Sequence, residues 1–235
     1  MADKCTRRKL LGTVGAAVAI DAVANAVQAV PRQKSDKIRI IGVACSPRKG
    51  RTTAASLQVC LDAAAQVDPR IEVELIELAG MKIDGSLAAN VPLEPGQKDD
   101  FPRLIPKLSD PKVAGIIIGT PVYFGNMTSL CKAFLDRCIS FRENSFALSN
   151  KVAGVLAVGG ARNGGQEVTI QSVQAALFCQ EMIIVGDGRP TARIGATVWN
   201  NGKDPVTEDE FGMATAKNLG RRVAEVALRF ARKQA

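Results

Sequence analysis

Apolar runs recur along most of this chain and predict its strands. Residues 38–44, 113–118, 152–158 and 182–185 are almost continuously apolar, and residues 71–78 alternate apolar with acidic side chains. Continuous runs are typical of parallel strands that are covered on both faces, and clean alternation is typical of a strand with one wetter face. The pattern therefore predicts five strands, with residues 71–78 at a sheet edge.

Stretches with helical periodicity separate these strands. The predicted helices cover residues 52–67, 101–108, 127–141, 166–179 and 207–232. Strand and helix thus alternate along the chain, which predicts an α/β fold. We expect a flavodoxin-like three-layer sandwich whose five-stranded parallel sheet has the order 2-1-3-4-5, with helices on both faces. Residues 79–100 and 186–206 are predicted to be loops.

Three polar segments follow strands one, three and four of the predicted sheet. They are residues 45–53, 119–126 and 159–167, which we name the first, second and third turns. Ligands of doubly wound sheets bind beyond the carboxyl ends of the strands, at the switch point between strands one and three. We therefore expect the three turns to meet and to form one ligand site.

The first turn has the composition of a phosphate site. Its hydroxyl, glycine and basic residues are Ser46, Arg48, Lys49, Gly50, Arg51, Thr52 and Thr53. The free N–H groups and the positive dipole end of the following helix face this turn, and a phosphate is their natural ligand. The turn has neither the Walker spacing nor the G-x-G-x-x-G fingerprint, so a phosphate monoester such as that of FMN is the favoured ligand. The alternative is a basic turn that contacts only solvent.

The same turn also allows a hydrolase. Cys45, followed by Arg51 and Thr52, has the spacing of cysteine phosphatases, and Asp204 offers a late general acid. Pro47 removes one N–H group from such a phosphate cradle, and the second and third turns would have no task. The phosphatase is therefore the less favoured alternative.

The second and third turns are suited to hold a planar ring. In the second turn, flat aromatic surface, a permissive glycine and an amide follow a stiffening proline: Pro121, Val122, Tyr123, Phe124, Gly125 and Asn126. In the third turn, glycines allow backbone N–H groups to approach a ring: Gly159, Gly160, Gly164 and Gly165. Arg162 would balance the negative charge of a reduced flavin. The alternatives are aromatic residues that only pack in the core or at an interface, and a flexible glycine loop on the surface.

The composition excludes several classes of function. The chain has 235 residues, a net charge of +8 and no histidine. The lack of histidine excludes His-based triads, His acid–base chemistry and imidazole zinc sites. The six cysteines include no C-x-x-C pair, so no metal site is predicted. The basic residues are scattered without interleaved aromatics, which favours anionic small ligands over nucleic acid.

Residues 1–29 resemble a twin-arginine export signal. An Arg-Arg pair precedes an alanine- and valine-rich stretch that ends in small residues. Polar residues interrupt this stretch, so a stable membrane span is not expected. We expect export to the periplasm, with a cytoplasmic location as the alternative. Residues 30–37 are then a linker, and residues 38–235 form the flavodoxin-like FMN-binding domain.

Four motifs, in order along the chain, resemble one family. They are Ser46-Pro-Arg-Lys-Gly-Arg-Thr52, Gly119-Thr-Pro-Val-Tyr-Phe-Gly-Asn-Met127, Lys132-Ala-Phe-Leu-Asp-Arg137 and Gly159-Gly-Ala-Arg-Asn-Gly-Gly-Gln-Glu167. Together they are similar to the NADPH-dependent FMN reductase family, and in particular to its iron–sulfur flavoprotein branch. The resemblance runs from about Ile38 to Gly188 and implies bound FMN and a homodimer or homotetramer whose neighbouring subunit helps to cover the flavin. That branch carries cluster cysteines in the loop after strand two, and residues 79–100 contain none.

The leading hypothesis is an FMN-dependent oxidoreductase. Its donor would be NAD(P)H, or a quinol or redox protein if the chain is exported, and its acceptor a flavin, a quinone or another small molecule. The flavin would carry the chemistry, and no side chain needs to act as an acid or base. The alternatives are an electron-transfer flavoprotein without its own small substrate, the cysteine phosphatase, and a binding protein that has lost the flavin.

Overall fold

The computed structural model describes residues 37–204 and 208–231. Its strands are β1 (Ile38–Ala44), β2 (Ile71–Glu77), β3 (Val113–Tyr123), β4 (Asn126–Met127), β5 (Val152–Gly159), β6 (Ile183–Ile184) and β7 (Ala196–Trp199). Its helices are α1 (Thr52–Ala65), α2 (Ile105–Ser109), α3 (Ser129–Arg137), α4 (Ile139–Glu143), α5 (Gln166–Phe178) and α6 (Glu210–Ala231), with 3₁₀ turns at Gly85–Ala89 and Phe101–Arg103. The predicted signal segment, residues 1–29, lies outside the described residues, as does the predicted linker apart from Lys37.

The sheet is parallel through its centre and has the order β2-β1-β3-β5-β6. This order confirms the predicted 2-1-3-4-5 arrangement of the core. Two short strands share the fifth position: β6 pairs with Val152 and Ala153, and β7 pairs in parallel with Leu156–Gly159. The prediction of a loop throughout residues 186–206 is therefore wrong for β7. Its four residues are too few to show a period, yet they find partners along β5.

Helices cover both faces of the sheet, as a three-layer sandwich requires. Successive residues of a strand point to opposite faces. In β1, Ile41 and Val43 belong to the core that α2, α3, α4 and α5 cover, whereas Ile40 and Ala44 belong to the core under α1 and α6. The predicted flavodoxin-like architecture is thus confirmed.

The strand β3 continues beyond the predicted end at residue 118 and reaches Tyr123. It turns back in a hairpin with β4, in which Tyr123 pairs with Asn126. Phe124 and Gly125 have φ of 51° and 75°, the left-handed geometry that two-residue hairpins use. The second turn is therefore a strand end and a hairpin, because pairing with β4 extends the strand.

The helix predicted over residues 127–141 is divided into α3 and α4. The former begins after Thr128, whose side-chain oxygen accepts a hydrogen bond from the Cys131 N–H group at 3.1 Å. A threonine at this position satisfies one of the free N–H groups of a helix start. Within the described part of the chain, no helix is both long and apolar enough to cross a membrane.

Candidate functional site

The three turns lie together at the carboxyl ends of the strands. The Thr128 hydroxyl, just after the second turn, donates to the Cys45 carbonyl of the first turn at 2.8 Å. The second and third turns touch at two glycines, because a Cβ atom added to Gly165 would lie 3.0 Å from the Gly125 Cα. These contacts place the three segments in one region, at the switch point between β1 and β3.

The first turn presents donors at the start of α1. Arg48 N–H donates to the Ser46 hydroxyl at 3.1 Å, which folds the turn tightly. Ser46, Thr52 and Thr53 are buried, whereas Arg48, Lys49, Gly50 and Arg51 are exposed. Gly50 has φ of 64°, a backbone conformation that residues with a side chain rarely adopt. The turn thus combines buried hydroxyl groups and N–H donors with exposed positive charge.

A carboxylate from a distant part of the chain fills this anion site. Asp204 accepts a hydrogen bond from the Thr52 backbone N–H at 3.3 Å, another from the Thr52 hydroxyl, and a third from Arg48 Nη1 at 2.9 Å. The hydrogen bond from the Thr52 hydroxyl, followed by the positive charge of Arg48, holds the pKa of Asp204 below its usual value. The start of α1 therefore stabilises an anion, and that anion is a carboxylate of the protein itself.

A second carboxylate bounds the same turn. Glu77, the last residue of β2, accepts the Gly50 N–H group at 2.6 Å through Oε2. No pattern in the sequence marks this contact, because Glu77 resembles any solvent-facing residue of an alternating strand. Its position brings the edge strand into the site.

The hairpin of the second turn carries its aromatic residues on the outside. Phe124 is fully exposed and Tyr123 is 47 % exposed. Neither ring is buried in the core of this chain, which leaves the flavin site and an interface as the two predicted roles. Pro121 and Val122 are half-buried beneath them. The Asn126 side-chain oxygen accepts the Met127 N–H group at 2.8 Å, which orients its amide.

The third turn is held by a buried glutamine. Gln166, which is 1 % exposed, donates to the carbonyls of Ala161 at 2.7 Å and Val198 at 3.3 Å. Its Oε1 accepts the Gly164 N–H group at 2.9 Å. Three hydrogen bonds from one side chain fix the glycine-rich backbone. A polar residue directly after the glycine run is the signal by which Gln166 could have been found in the sequence.

Arg162 is drawn to the side of the third turn by an acidic partner. Its Nη2 forms an ion pair with the Asp209 carboxylate, and its guanidinium lies 5.1 Å from the centre of the Trp199 ring. Asp209 also accepts the N–H groups of Trp199 at 2.7 Å and Gly212 at 2.9 Å. Arg162 therefore links the third turn to the start of α6, and Asp209 already balances its positive charge.

The segment after β7 connects the first and third turns. Asn200 N–H donates to the Gly159 carbonyl at 3.1 Å, and the Asn200 side-chain amide donates to the Thr52 hydroxyl at 3.4 Å. The Trp199 indole N–H donates to the Gly160 carbonyl at 3.0 Å. Residues of the segment predicted to be a late loop thus complete the site, although no motif marks them.

The cysteine of the phosphatase alternative is in the wrong environment. Cys45 is fully buried, and its thiol donates to the Val43 carbonyl at 3.8 Å. Burial, together with the neighbouring Cys131 thiol, raises the pKa of Cys45 well above its usual value. A nucleophilic cysteine needs an accessible thiolate, so this position does not suit phosphatase chemistry.

The loop after β2 is organised without cysteine. Arg137 forms a 2.7 Å ion pair with Asp99, donates to the Asp84 carbonyl at 3.2 Å, and lies over the Phe101 ring at 4.8 Å. Both partners of the ion pair are nearly buried. Within residues 37–204 and 208–231, no group of three His, Cys, Asp or Glu side chains is placed to hold a metal ion.

Comparison with known sequences gives a consistent result. The family model for NADPH-dependent FMN reductase matches residues 38–196. An iron–sulfur flavoprotein of Methanocaldococcus jannaschii is 38 % identical over 192 residues, which cover 80 % of this chain and 97 % of that protein. A NAD(P)H dehydrogenase (quinone) of Trichlorobacter lovleyi is 30 % identical over 176 residues, which cover 70 % of this chain and 80 % of that protein.

Solved structures with this fold include a WrbA-like flavodoxin from Agrobacterium tumefaciens. The TM-score is 0.56 at 18 % identity, with 82 % of this chain and 99 % of that chain covered. RosB, solved with bound 8-demethyl-8-formylriboflavin-5'-phosphate, gives a TM-score of 0.61 at 17 % identity, with 84 % and 82 % covered. At these identities the likeness concerns the fold alone.

Proposed function

This chain belongs to the NADPH-dependent FMN reductase family and is a flavin-dependent oxidoreductase. From that premise we propose which residues bind FMN and which molecules donate electrons to the bound flavin and accept electrons from it. Bound FMN would supply the two-electron chemistry that connects a donor to an acceptor. The chain's own residues bind and orient the cofactor.

The observation that carries this proposal is the anion held at the start of α1. The Asp204 carboxylate engages the Thr52 N–H, the Thr52 hydroxyl and Arg48, and these are the donor types that bind a phosphate at a helix start. We assign Ser46, Thr52, Thr53 and Arg48 to the FMN phosphate. Lys49 and Arg51 add positive charge at the exposed rim.

The ring is assigned to the exposed surfaces of the second and third turns. Because Gly125 and Gly165 are in contact, a ring does not fit between these two glycines, and it must lie against the surface that they form with their neighbours. Tyr123 and Phe124 offer flat apolar area there. Gln166 keeps the N–H groups of the third turn in place. Arg162, paired with Asp209, would act on the flavin as a partly neutralised charge.

For the electron donor we propose NAD(P)H, and for the acceptor a quinone or a free flavin. The family description supports a nicotinamide donor, and the relatives described as NAD(P)H dehydrogenase (quinone) support a quinone acceptor. An exported protein would instead take electrons from a quinol or a redox protein. The alternative, an electron-transfer flavoprotein without its own small substrate, is supported by the relatives described as iron–sulfur flavoproteins. The adjacent exposed rings of Tyr123 and Phe124 form an apolar surface, and its burial by a second copy of the chain would give the homodimer or homotetramer that we propose.

A spectroscopic experiment tests the assignment of the cofactor. Purified protein, reconstituted with FMN, should show flavin absorbance that NADH or NADPH bleaches in stopped-flow mixing and that a quinone restores. In a chain that also carries Asp204→Ala, so that the phosphate is the hydroxyl's only anionic partner, Thr52→Val should weaken FMN binding about tenfold, because one hydroxyl donor to the phosphate is lost. Riboflavin binding should be unchanged. Ser172→Ala on the exposed face of α5 is the control. Protein that binds neither flavin would refute the proposed function, and bleaching by a quinol alone would replace the proposed donor.

A further inference from the structure

The Asp204 carboxylate occupies the position that the proposed function gives to the FMN phosphate. Its two oxygens accept from three donors of the first turn: the backbone N–H and hydroxyl of Thr52 and the guanidinium of Arg48. The Asp204 side chain is only 17 % exposed. A phosphate that bound at the start of α1 would need the same donors, and two anions cannot share them.

Asp204 reaches this position on a short, ordered segment. We name residues 200–204 the strap. Asn200 anchors it to Gly159 at 3.1 Å and to Thr52 at 3.4 Å. Asn201 and Gly202 then turn the chain with φ of 47° and 70°, and the Lys203 N–H donates to the Asn200 carbonyl at 2.7 Å. The turn delivers a carboxylate from 152 residues away along the chain to the start of α1.

An alternative is that Asp204 is merely a helix cap. Aspartate caps are usually the residue directly before the helix. Here that residue is Arg51, whose side chain makes no capping hydrogen bond. The arrangement differs from an ordinary cap also because Arg48, a basic residue of the turn, is recruited to the same carboxylate. A carboxylate with these partners has the chemistry of a substitute for a bound anion.

We propose that Asp204 is a built-in competitor of the FMN phosphate, which closes the phosphate site of the empty protein and must be displaced when FMN binds. This inference rests on the proposed function and concerns the regulation of that same site. The apparent affinity for FMN is then reduced by the fraction of molecules in which the strap is closed. When FMN binds, Arg48 and Thr52 pass from the carboxylate to the phosphate. The strap is released together with its contact to the third turn.

Competition by Asp204 should reduce the affinity only for ligands that carry a phosphate. Riboflavin has the same ring as FMN and no phosphate, so it does not compete with Asp204 for the first turn. A change that removes the carboxylate should therefore strengthen the binding of FMN alone. If Asp204 instead contacted the bound flavin, its removal would weaken the binding of both flavins.

The test is a titration of the full-length apoprotein with FMN and with riboflavin. The quenching of flavin fluorescence measures binding. Asp204→Asn and Asp204→Ala should each lower the Kd for FMN by at least about tenfold. Without the carboxylate, FMN no longer has to displace charged hydrogen bonds from the first turn before its phosphate binds. The Kd for riboflavin should change by less than about twofold. Asp62→Asn is the matched control. It also removes one negative charge, but from a residue within α1 whose side chain accepts a hydrogen bond from Gln58 on the same helix.

The outcomes are distinct. Tighter FMN binding with unchanged riboflavin binding supports the competition. Unchanged or weaker FMN binding in both Asp204 variants overturns it, as does an equal gain for both flavins. If wild type and variants bind neither FMN nor riboflavin, the proposed function itself fails, which differs from a failure of the competition in a protein that binds FMN.

Discussion

Gly220 of α6 lies directly on the backbone of Cys60 in α1. A Cβ atom added to Gly220 would overlap the Cys60 carbonyl group, at 2.6 Å from its carbon. The two helices therefore meet backbone to backbone over one face of the sheet.

We predict that Gly220→Ala destabilises the protein by about 3 kcal/mol, because a helix backbone cannot give way and overpacking forces the helices apart. Urea unfolding followed by far-UV circular dichroism measures the change. Gly160→Ala is the control, since a Cβ atom there meets nothing within 4 Å, and should cost less than about 0.5 kcal/mol. Equal stability of the two variants would contradict the backbone contact.

The loop after β2 depends on Arg137. Replacing Arg137 by Met removes the partner of Asp99, whose side chain is 13 % exposed. We expect a loss of about 2–3 kcal/mol in unfolding free energy, because a nearly buried charge is left unpaired. Lys132→Met breaks a more exposed ion pair with Asp136 on the same helix and should cost less than about 0.5 kcal/mol. Adding Asp99→Asn to Arg137→Met should recover part of the lost stability. If nothing is recovered, the loss comes from the missing packing of Arg137 against Phe101 rather than from the unpaired charge.

Lys151 gives stability a dependence on pH. Its ammonium donates to the carbonyls of Asp110 at 2.9 Å and Val113 at 2.7 Å, and burial lowers the pKa of Lys151 to about 8. In the unfolded chain a lysine keeps its proton up to about pH 10.4. Between these values the unfolded state binds more protons, so this group makes stability rise with pH.

The measurement compares the unfolding free energies of the wild type and of Lys151→Met as a function of pH. Burial raises the pKa of the Cys60 and Cys138 thiols, so ionisation of these thiols in the unfolded chain makes stability fall over the same pH range. Subtracting the unfolding free energies of Lys151→Met from those of the wild type cancels the effect of the thiols. From pH 8 to pH 10 the difference should rise by about 1–2 kcal/mol in favour of the wild type. A flat difference would show that the Lys151 pKa is not lowered.

Gln166 should contribute both to FMN binding and to stability. Gln166→Ala removes three hydrogen bonds that hold the third turn, and we expect FMN binding to weaken about tenfold with a loss of about 1–2 kcal/mol in stability. Gln174→Ala on the same helix removes one exposed bond to the Ile194 carbonyl. Its effect on FMN titrations should be less than about twofold. Equal binding by both variants would mean that the third turn does not depend on Gln166.

Local patterns were sufficient for most of the elements and for the place of the site. The first strand and the helix start at Thr52 follow from a continuous apolar run and a polar turn, and both are found within a residue or two of the prediction. The meeting of the three turns follows from the parallel strand order. Periodicity failed for β7 and for the end of β3, where pairing with distant residues extends short segments that carry no period of their own.

The sequence by itself determined the composition of the first turn and the helix that follows it, because hydroxyls, basic residues and a helix start are all local properties of residues 45–53. This composition predicts an anion site at the start of α1. Only the tertiary structure decided what meets that site. Asp204 lies 152 residues from Thr52 along the chain, and a contact over such a separation depends on how β7 and α6 pack on the sheet. The same reason applies to the buried state of Cys45: its spacing to Arg51 is written in the chain, but the layers that cover its thiol come from distant helices.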